Sequence, residues 1–144
     1  MKKKHKIKEC WVWNKTVEEF VKEKMKGYTL NVCAGKSPLG DVKLDLDPQD
    51  KSIIKGDFSN LPFENEKFDT VISDPCWKIG FYQRMRPFFE CVRVCKVGGK
   101  IIYNAYWMPT SKATVLEEVF VRQDGDFTNS SIISVFKKLT NEFD

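Results

Sequence analysis

The stretch Thr29–Asp47, TLNVCAGKSPLGDVKLDLD, decides the fold of this 144-residue chain. Apolar residues alternate with polar ones over residues 30–34 and again over residues 42–46, a pattern typical of β-strands. Between the two runs, residues 35–40 read GKSPLG, and this cluster of glycine, serine and proline predicts a turn. A crossover between parallel strands usually needs about a dozen residues or more, commonly a helix. The stretch therefore predicts two strands joined without a crossover helix.

The same stretch carries the residue types that bind nucleoside ligands. A glycine such as Gly35 lets the backbone approach a ligand closely, and a carboxylate at the end of the second strand can accept hydrogen bonds from ribose hydroxyls. Asp45 and Asp47 are the two candidates for that carboxylate. The alternative is that the glycines only turn the chain and that both acids are solvated. The pattern alone leaves both interpretations open.

Length and composition predict one soluble domain. The chain is 42% hydrophobic and 31% charged, as is ordinary for a globular protein. No window approaches the roughly 18 apolar residues of a membrane span, and the amino terminus, MKKKHKIKEC, lacks the apolar segment of a secretory signal. We therefore expect a single cytoplasmic domain over residues 1–144 with no membrane contact. Residues 1–10 form a basic arm, which is either solvated or in contact with nucleic acid.

The cysteines give no sign of a disulfide framework or of a metal site. They are five in number and scattered, which fits a reducing compartment. Cys91 and Cys95 are four residues apart, so a helix would place both on one face. Because the chain has one histidine and no CxxC, ligand counting favours helix core cysteines over zinc ligands. We expect no metal.

The remaining sequence predicts an open α/β sheet that is mostly parallel and ends in an antiparallel hairpin. Its connections are short, so we expect trimmed crossover helices and one thinly covered face. The predicted elements are helices at residues 16–26 and from 87 to about 95, further strands at 52–55, 70–73 and 100–108, and hairpin strands at 115–122 and 131–137 around a turn at 123–126.

The fourth predicted strand runs directly into Asp74, Pro75, Cys76 and Trp77. A strand that ends in Asp-Pro presents a carboxylate and a carbonyl at the carboxyl edge of the sheet, where open α/β sheets bind ligands. The alternative is a turn begun by Asp-Pro, with the tryptophan as a core aromatic. The basic and aromatic residues 78–86 that follow either meet phosphates and a base or form a solvated helix face.

Taken in order, these motifs resemble those of the class I, Rossmann-like S-adenosylmethionine-dependent methyltransferases over roughly residues 30–137. In the segment similar to the family's cofactor loop, Gly35 is the one glycine kept and Asn31 stands in the acidic position. The matching segments are LNVCAGKS (30–37) for that loop, LDLDP (44–48) for the ribose-binding strand end, GDFSNLPF (56–63) for the adenine loop, FDTVISDPCW (68–77) for the fourth motif, and RVCKVGGKIIY (93–103) for the turn into strand five.

The resemblance implies an α/β, Rossmann-like sheet and S-adenosylmethionine as the cofactor. It places Asp45 on the ribose, with Asp47 as the neighbouring alternative, and Asp57 and Phe58 at the adenine. The last two are otherwise a turn residue and a core anchor. The implied cofactor-binding residues are Asn31, Cys33, Ala34, Gly35, Asp45, Asp57, Phe58 and Ser73.

The Asp-Pro-Cys-Trp segment resembles the Asp/Asn-Pro-Pro-aromatic motif of methyltransferases that act on planar amino nitrogens. The implied catalytic residues are Asp74 and the Pro75 carbonyl, which accept the hydrogens of the amine, and Trp77, which stacks on its ring. The favoured acceptor is a nucleobase, adenine N6 of DNA or RNA. The alternatives are a small molecule, a protein amide, and a non-catalytic subunit that only binds the cofactor. A partner subunit or a homo-oligomer would then supply target recognition.

Overall fold

The computed structural model describes residue 13 and residues 15–75, 85–121 and 132–142. The sequence predictions for the basic arm at 1–10, for Cys76 and Trp77, for the basic and aromatic residues 78–84, and for the hairpin turn at 123–126 lie outside the described residues. Neither helix in the described part of the chain is long and apolar enough to cross a membrane.

A seven-stranded sheet with two helices packed on it makes up the described chain. The helices are α1 (Lys15–Lys24) and α2 (Arg86–Val94), and the strands are β1 (Thr29–Val32), β2 (Val42–Asp45), β3 (Ile53–Lys55), β4 (Phe68–Ser73), β5 (Cys95–Ala105), β6 (Thr114–Val121) and β7 (Ile132–Lys138).

The strands lie in the order β3-β2-β1-β4-β5-β7-β6. Strands β1 to β5 pair in parallel, and β7 is antiparallel to both of its neighbours, β5 and β6. The predicted fold class, a mostly parallel Rossmann-like sheet that ends in an antiparallel hairpin, is therefore confirmed.

Strand β5 begins earlier than the sequence predicts. It starts at Cys95, directly after α2, because that residue pairs with Phe68 of β4. Between this pair and the pair of Lys100 with Thr70, the register shifts and residues 96–99 form an irregular stretch within the strand. The two glycines there were expected to end the helix in a turn. Other boundaries differ by a few residues. Helix α1 ends at residue 24 rather than 26, β5 ends at 105 rather than 108, and β4 begins at 68 rather than 70. Strands β1 and β2 end at residues 32 and 45, so Ala34 and Leu46, predicted as strand residues, lie beyond them.

No helix occurs between the strands within residues 33–67, all of which the structure describes. Polar contacts hold the first connection instead. The Asn31 side-chain amide donates to the Leu39 carbonyl at 3.1 Å, and the Thr29 amide N–H donates to the Asp41 carboxylate at 2.9 Å. Leu39 itself is buried in the apolar cluster beneath α1, where a crossover helix would otherwise supply side chains.

Each helix buries an apolar face on one side of the sheet. On the α1 side, Val17 and Val21 pack against isoleucines of β4, β5 and β7, as the helical spacing predicts. On the α2 side, Cys91 and Cys95 lie in the core, although Cys95 is the first residue of β5 and not a helix residue. Burial raises the pKa of both thiols to about 12, so both are protonated at neutral pH.

A charged pair on α2 holds the long loop between β3 and β4. The Arg93 guanidinium donates to the carbonyls of Leu61 at 2.9 Å and Phe63 at 2.8 Å, and its Nε donates to Glu90 Oε2 at 2.6 Å. Glu90 Oε1 in turn accepts the Leu61 amide N–H at 2.8 Å. Main-chain groups of the loop thus find partners on α2 where a regular strand or helix would have supplied them.

Replacing Arg93 with lysine should destabilise the fold. An ammonium cannot reproduce the directed hydrogen bonds of a guanidinium to two carbonyls and a carboxylate. We expect the free energy of unfolding, measured in urea, to fall by about 1–3 kcal/mol. The control Lys22→Arg, at an exposed ion pair with Glu18, should change it by less than about 0.5 kcal/mol. Equal losses in the two variants would contradict the role of Arg93.

The pairing of Glu90 with Arg93 also predicts that the free energy of unfolding depends on pH. Burial acts to raise the pKa of Glu90, but hydrogen bonds from Arg93 and from the Leu61 N–H outweigh it and lower the pKa below the usual 4.5. A carboxyl with a lowered folded-state pKa contributes stability that is present above its unfolded pKa and lost as the pH falls through the folded value. On acidification from neutral pH to below 4.5, wild type should therefore lose more stability than Glu90→Gln. Parallel stability curves for the two proteins would show that Glu90 does not contribute in this way.

Candidate functional site

The carboxyl ends of β1 to β5 lie along one edge of the sheet, because these strands run parallel. Ligands of open α/β sheets bind at this edge. Every sequence-predicted site residue within the described chain lies in or directly after one of these strand ends. Trp77 is outside the described residues.

The turn after β1 is tied to the end of β2. Cys33 and Gly35 both have positive φ, +58° and +53°, a conformation that glycine adopts readily and other residues seldom do. The Gly35 amide N–H donates to Asp45 Oδ2 at 2.8 Å, and the Ala34 amide N–H donates to the Leu44 carbonyl at 3.1 Å. These bonds fix the position of the glycine turn relative to the carboxylate of Asp45, the last residue of β2.

Asp45, the last residue of β2, is better anchored than Asp47, which follows the strand. Its Oδ2 accepts the Gly35 N–H, and its Oδ1 accepts the Asp47 amide N–H at 3.0 Å. A carboxylate has about four acceptor sites, so it retains capacity for ribose hydroxyls after these two bonds. Asp47 lies beyond the strand and is exposed. Its main chain helps to orient Asp45.

Asn31, which the resemblance places at the family's acidic position, binds the main chain of the turn after β1. It is 2% exposed, and its amide donates to the Leu39 carbonyl. A Cβ placed on Gly40 would lie 3.0 Å from the Asn31 Cβ, so the loop passes close over this side chain. Ser73, the last residue of β4, is also fully buried.

The loop after β3 places Asp57 and Phe58 beside the end of β2. The Gly56 amide N–H donates to the Asp45 carbonyl at 3.0 Å. Asp57 is exposed and caps a turn, because its Oδ1 accepts the Ser59 amide N–H at 2.8 Å. Phe58 is half-buried against the α2-side core. Asp57 therefore does cap a turn and Phe58 does pack on the core, as the alternative to cofactor binding predicts. The Asp57 carboxylate has about four acceptor sites, so it can also accept a hydrogen bond from a ligand.

These residues fit the nucleoside part of S-adenosylmethionine. An anchored carboxylate at the end of β2 and an exposed carboxylate after β3 can accept hydrogen bonds from a ribose and an adenine, and the adjoining aromatic ring can contact the base. In this chain they are Asp45, Asp57 and Phe58, joined through the Gly56–Asp45 hydrogen bond.

Asp74 follows β4 at the same edge, and its carboxylate is held by a residue of β5. The Asn104 side-chain amide donates to Asp74 Oδ1 at 2.6 Å, and the Asp74 amide N–H donates to the Val32 carbonyl at 3.3 Å. Pro75 is buried. Sequence reasoning missed Asn104, whose one available signal was a single amide residue near the end of an apolar strand.

The segment after β5 adds exposed apolar side chains to this edge. Tyr106 is 52% exposed and Met108 is 39% exposed, whereas Trp107 packs against the α2-side core. The sequence predicts a strand through residue 108, so it did not indicate that Tyr106 and Met108 lie beyond the strand and are exposed.

Two surface depressions among the described residues lie at the opposite edge, where the strands begin. The larger, about 590 Å³, has four lysines among its lining residues, Lys26, Lys96, Lys100 and Lys137, together with Asp69 and Glu117. Neither depression contains a residue of the candidate site. The anchored carboxylates of the candidate site lie at the carboxyl ends of the strands and not in either depression.

Comparison with known proteins agrees with this geometry. Residues 16–103 match the family model described as a methyltransferase domain. No curated protein sequence matches the chain.

Solved structures with the same fold include several methyltransferases. A TehB-like SAM-dependent methyltransferase from Corynebacterium glutamicum is 16% identical, with 84% of this chain and 85% of that chain covered and a TM-score of 0.61. The N-methyltransferase NodS from Bradyrhizobium japonicum, in complex with S-adenosyl-L-homocysteine, is 13% identical, with 78% of each chain covered and a TM-score of 0.57. The Haloferax volcanii complex between the Trm112 methyltransferase activator and a methyltransferase gives 12% identity, 90% of each chain covered and a TM-score of 0.63.

The family match spans more than half of the chain, and solved methyltransferase structures share its fold. The chain belongs to the methyltransferase domain family and is, as the sequence predicts, an S-adenosylmethionine-dependent methyltransferase.

Proposed function

We propose that this enzyme transfers a methyl group to an amino nitrogen of a nucleobase, with adenine N6 of DNA or RNA as the favoured acceptor. The observation that carries the proposal is the Asp74-Pro75 pair at the carboxyl end of β4, with the Asp74 carboxylate held at 2.6 Å by Asn104. An amino acceptor offers two hydrogens, and this pair offers a carboxylate and a carbonyl to accept them.

The proposed cofactor site lies along the ends of β1, β2 and β3. Asp45 accepts hydrogen bonds from the ribose hydroxyls, and Asp57 and Phe58 meet the adenine. The turn formed by Cys33, Ala34 and Gly35 lines the methionine end, with Asn31 beneath it and Ser73 at the neighbouring strand end. When bound, the cofactor supplies an activated methyl group, so the chain itself needs no metal ion and no covalent nucleophile.

The chemistry that falls to Asp74 and Pro75 is orientation and proton acceptance. An amino group conjugated to an aromatic ring is a poor nucleophile, because its lone pair is delocalised into the ring. Hydrogen bonds from its two N–H groups to the Asp74 carboxylate and the Pro75 carbonyl aim that lone pair at the methyl carbon. As the N–C bond forms, the methyl–sulfur bond of the donor would break with its electron pair left on sulfur, and the nitrogen would lose one proton to the Asp74 carboxylate.

Trp77 and the basic residues after it complete the proposed acceptor site. Trp77 stacks on the base, and Lys78 and Arg84 meet phosphates, although all three lie outside the described residues. Arg86 has a structural partner as well, since its Nε donates to the Ser59 carbonyl at 2.8 Å.

A partner subunit, or a second copy of this chain, is proposed for target recognition. The Haloferax volcanii complex supports this, because a methyltransferase of the same fold is bound there to the Trm112 methyltransferase activator. The odd, scattered cysteines support a cytoplasmic location, where thiols stay reduced.

Cofactor binding should depend on Asp45 more than on Asp47. Asp45→Ala removes the proposed ribose acceptor, so titration calorimetry with S-adenosylhomocysteine should show a loss of about 1–3 kcal/mol, from one or two hydrogen bonds. Asp47→Ala is the matched control and should bind within a few-fold of wild type. Equal affinities for wild type and Asp45→Ala would remove Asp45 from the cofactor site.

Turnover should depend on Asp74. With methyl-labelled cofactor and single-stranded, adenine-containing RNA and DNA oligonucleotides, Asp74→Ala should lower kcat roughly a hundredfold or more, while cofactor affinity changes little. Extracts containing protein and small molecules, tested alongside, distinguish the other acceptor classes. Full activity of Asp74→Ala, or label found only on a carboxylate, a thiol or carbon, would overturn the amino-group assignment.

A further inference from the structure

Asn104 occupies a buried position beside the proposed acceptor site. It is the second-last residue of β5 and is 5% exposed, with β4 on one side and β7, through Ile133, on the other. Residues 101–105 of this strand are all buried. Because a buried amide is costly without hydrogen bonds, an apolar residue would be the default here.

The sheet register brings Asn104 to Asp74. Ser73 pairs with Tyr103 in the parallel ladder between β4 and β5, so the next residue on each strand meets its counterpart at the strand ends. The side chains make a hydrogen bond of 2.6 Å from the Asn104 amide to Asp74 Oδ1. Hydrogen bonds to an ionised partner are shorter and stronger than those between neutral groups.

This contact sets the direction of the carboxylate. A carboxylate can rotate about its Cβ–Cγ bond, and a donor from a rigid neighbouring strand restricts that rotation. A carboxylate has about four acceptor sites, and the Asn104 N–H occupies one of them. Misplacement of a reacting group by about 1 Å can cost roughly a hundredfold in rate.

We infer that Asn104 is a positioning residue for methyl transfer: it holds the Asp74 carboxylate in the orientation that accepts the N–H of the acceptor amine. The inference deepens the proposed function and rests on it. In this role Asn104 acts through the Asp74 carboxylate.

The side chain must be an amide for this purpose. Leucine has a similar shape but no donor. Aspartate has the same shape, but two carboxyl groups at this separation cannot both ionise without strong repulsion, so the pair would share one proton. In Asn104→Asp, that proton keeps the pair together at low pH, and its loss as the pH rises drives the carboxylates apart.

The test uses the full chain, methyl-labelled cofactor and the adenine-containing RNA or DNA oligonucleotide that wild type methylates best. Asn104→Leu should lower kcat roughly ten- to a hundredfold, with cofactor affinity within about twofold of wild type. Asn104→Asp should be active at low pH and lose kcat as the pH rises, where wild type does not.

Thr70→Val is the matched control, because it also removes the hydrogen bonds of a buried polar side chain. Thr70 is fully buried at the opposite edge of the sheet and hydrogen-bonds the main chain of Lys26 as both donor (2.7 Å) and acceptor (2.9 Å). This variant should be less stable to urea but keep the wild-type kcat and pH profile below its unfolding transition.

The outcomes separate the inference from the function beneath it. If wild type methylates the oligonucleotide and Asn104→Leu keeps the wild-type kcat, or Asn104→Asp keeps the wild-type pH profile, the positioning role is wrong. If wild type methylates no nucleobase, the proposed function fails, and the role of Asn104 fails with it.

Discussion

The structure depends on a constraint in its first half: β1, β2 and β3 lie side by side and parallel, with no helix between them to hold their ends. A crossover helix would fix the spacing of two strands by packing. Here hydrogen bonds take that role, from Asn31 to the Leu39 carbonyl, from Thr29 to Asp41, and from Gly35 to Asp45. Of these, the Gly35–Asp45 hydrogen bond joins two residues of the proposed cofactor site, so that bond would serve both the stability of the strands and the proposed binding of the cofactor.

Helix α2 stabilises β4, β5 and the loop after β3. One face of it fills the core under β4 and β5, and its charged residues bind the main chain of the loop after β3. Asp57 and Phe58 lie at the start of that loop. A change in Glu90 or Arg93 should therefore also alter the position of the proposed adenine end, through the loop that both residues hold. The loop itself has no regular ladder to hold it within residues 56–67.

Much of the fold could be predicted because its signals are local. Alternation predicted β1 and β2, the apolar run before Asp74 predicted β4, and helical spacing predicted the buried face of α1. The start of β5 could not be predicted, because Gly98 and Gly99 carry the signal of a turn, and the strand spans them only because Cys95 and Lys100 on either side pair with β4. Asn104 could not be predicted either. Its partner lies 30 positions away in sequence, and a lone asparagine in an apolar strand has no periodic signal.

The central claim is that the polar edge formed by the ends of β1, β2 and β3 holds the cofactor. A crystal structure of the protein with S-adenosylhomocysteine tests it most directly. The account predicts the ribose hydroxyls at the Asp45 carboxylate and the adenine beside Asp57 and Phe58. Density for the ligand away from this edge, for example in the lysine-lined depression beside Lys26 and Lys96 where the strands begin, would contradict it.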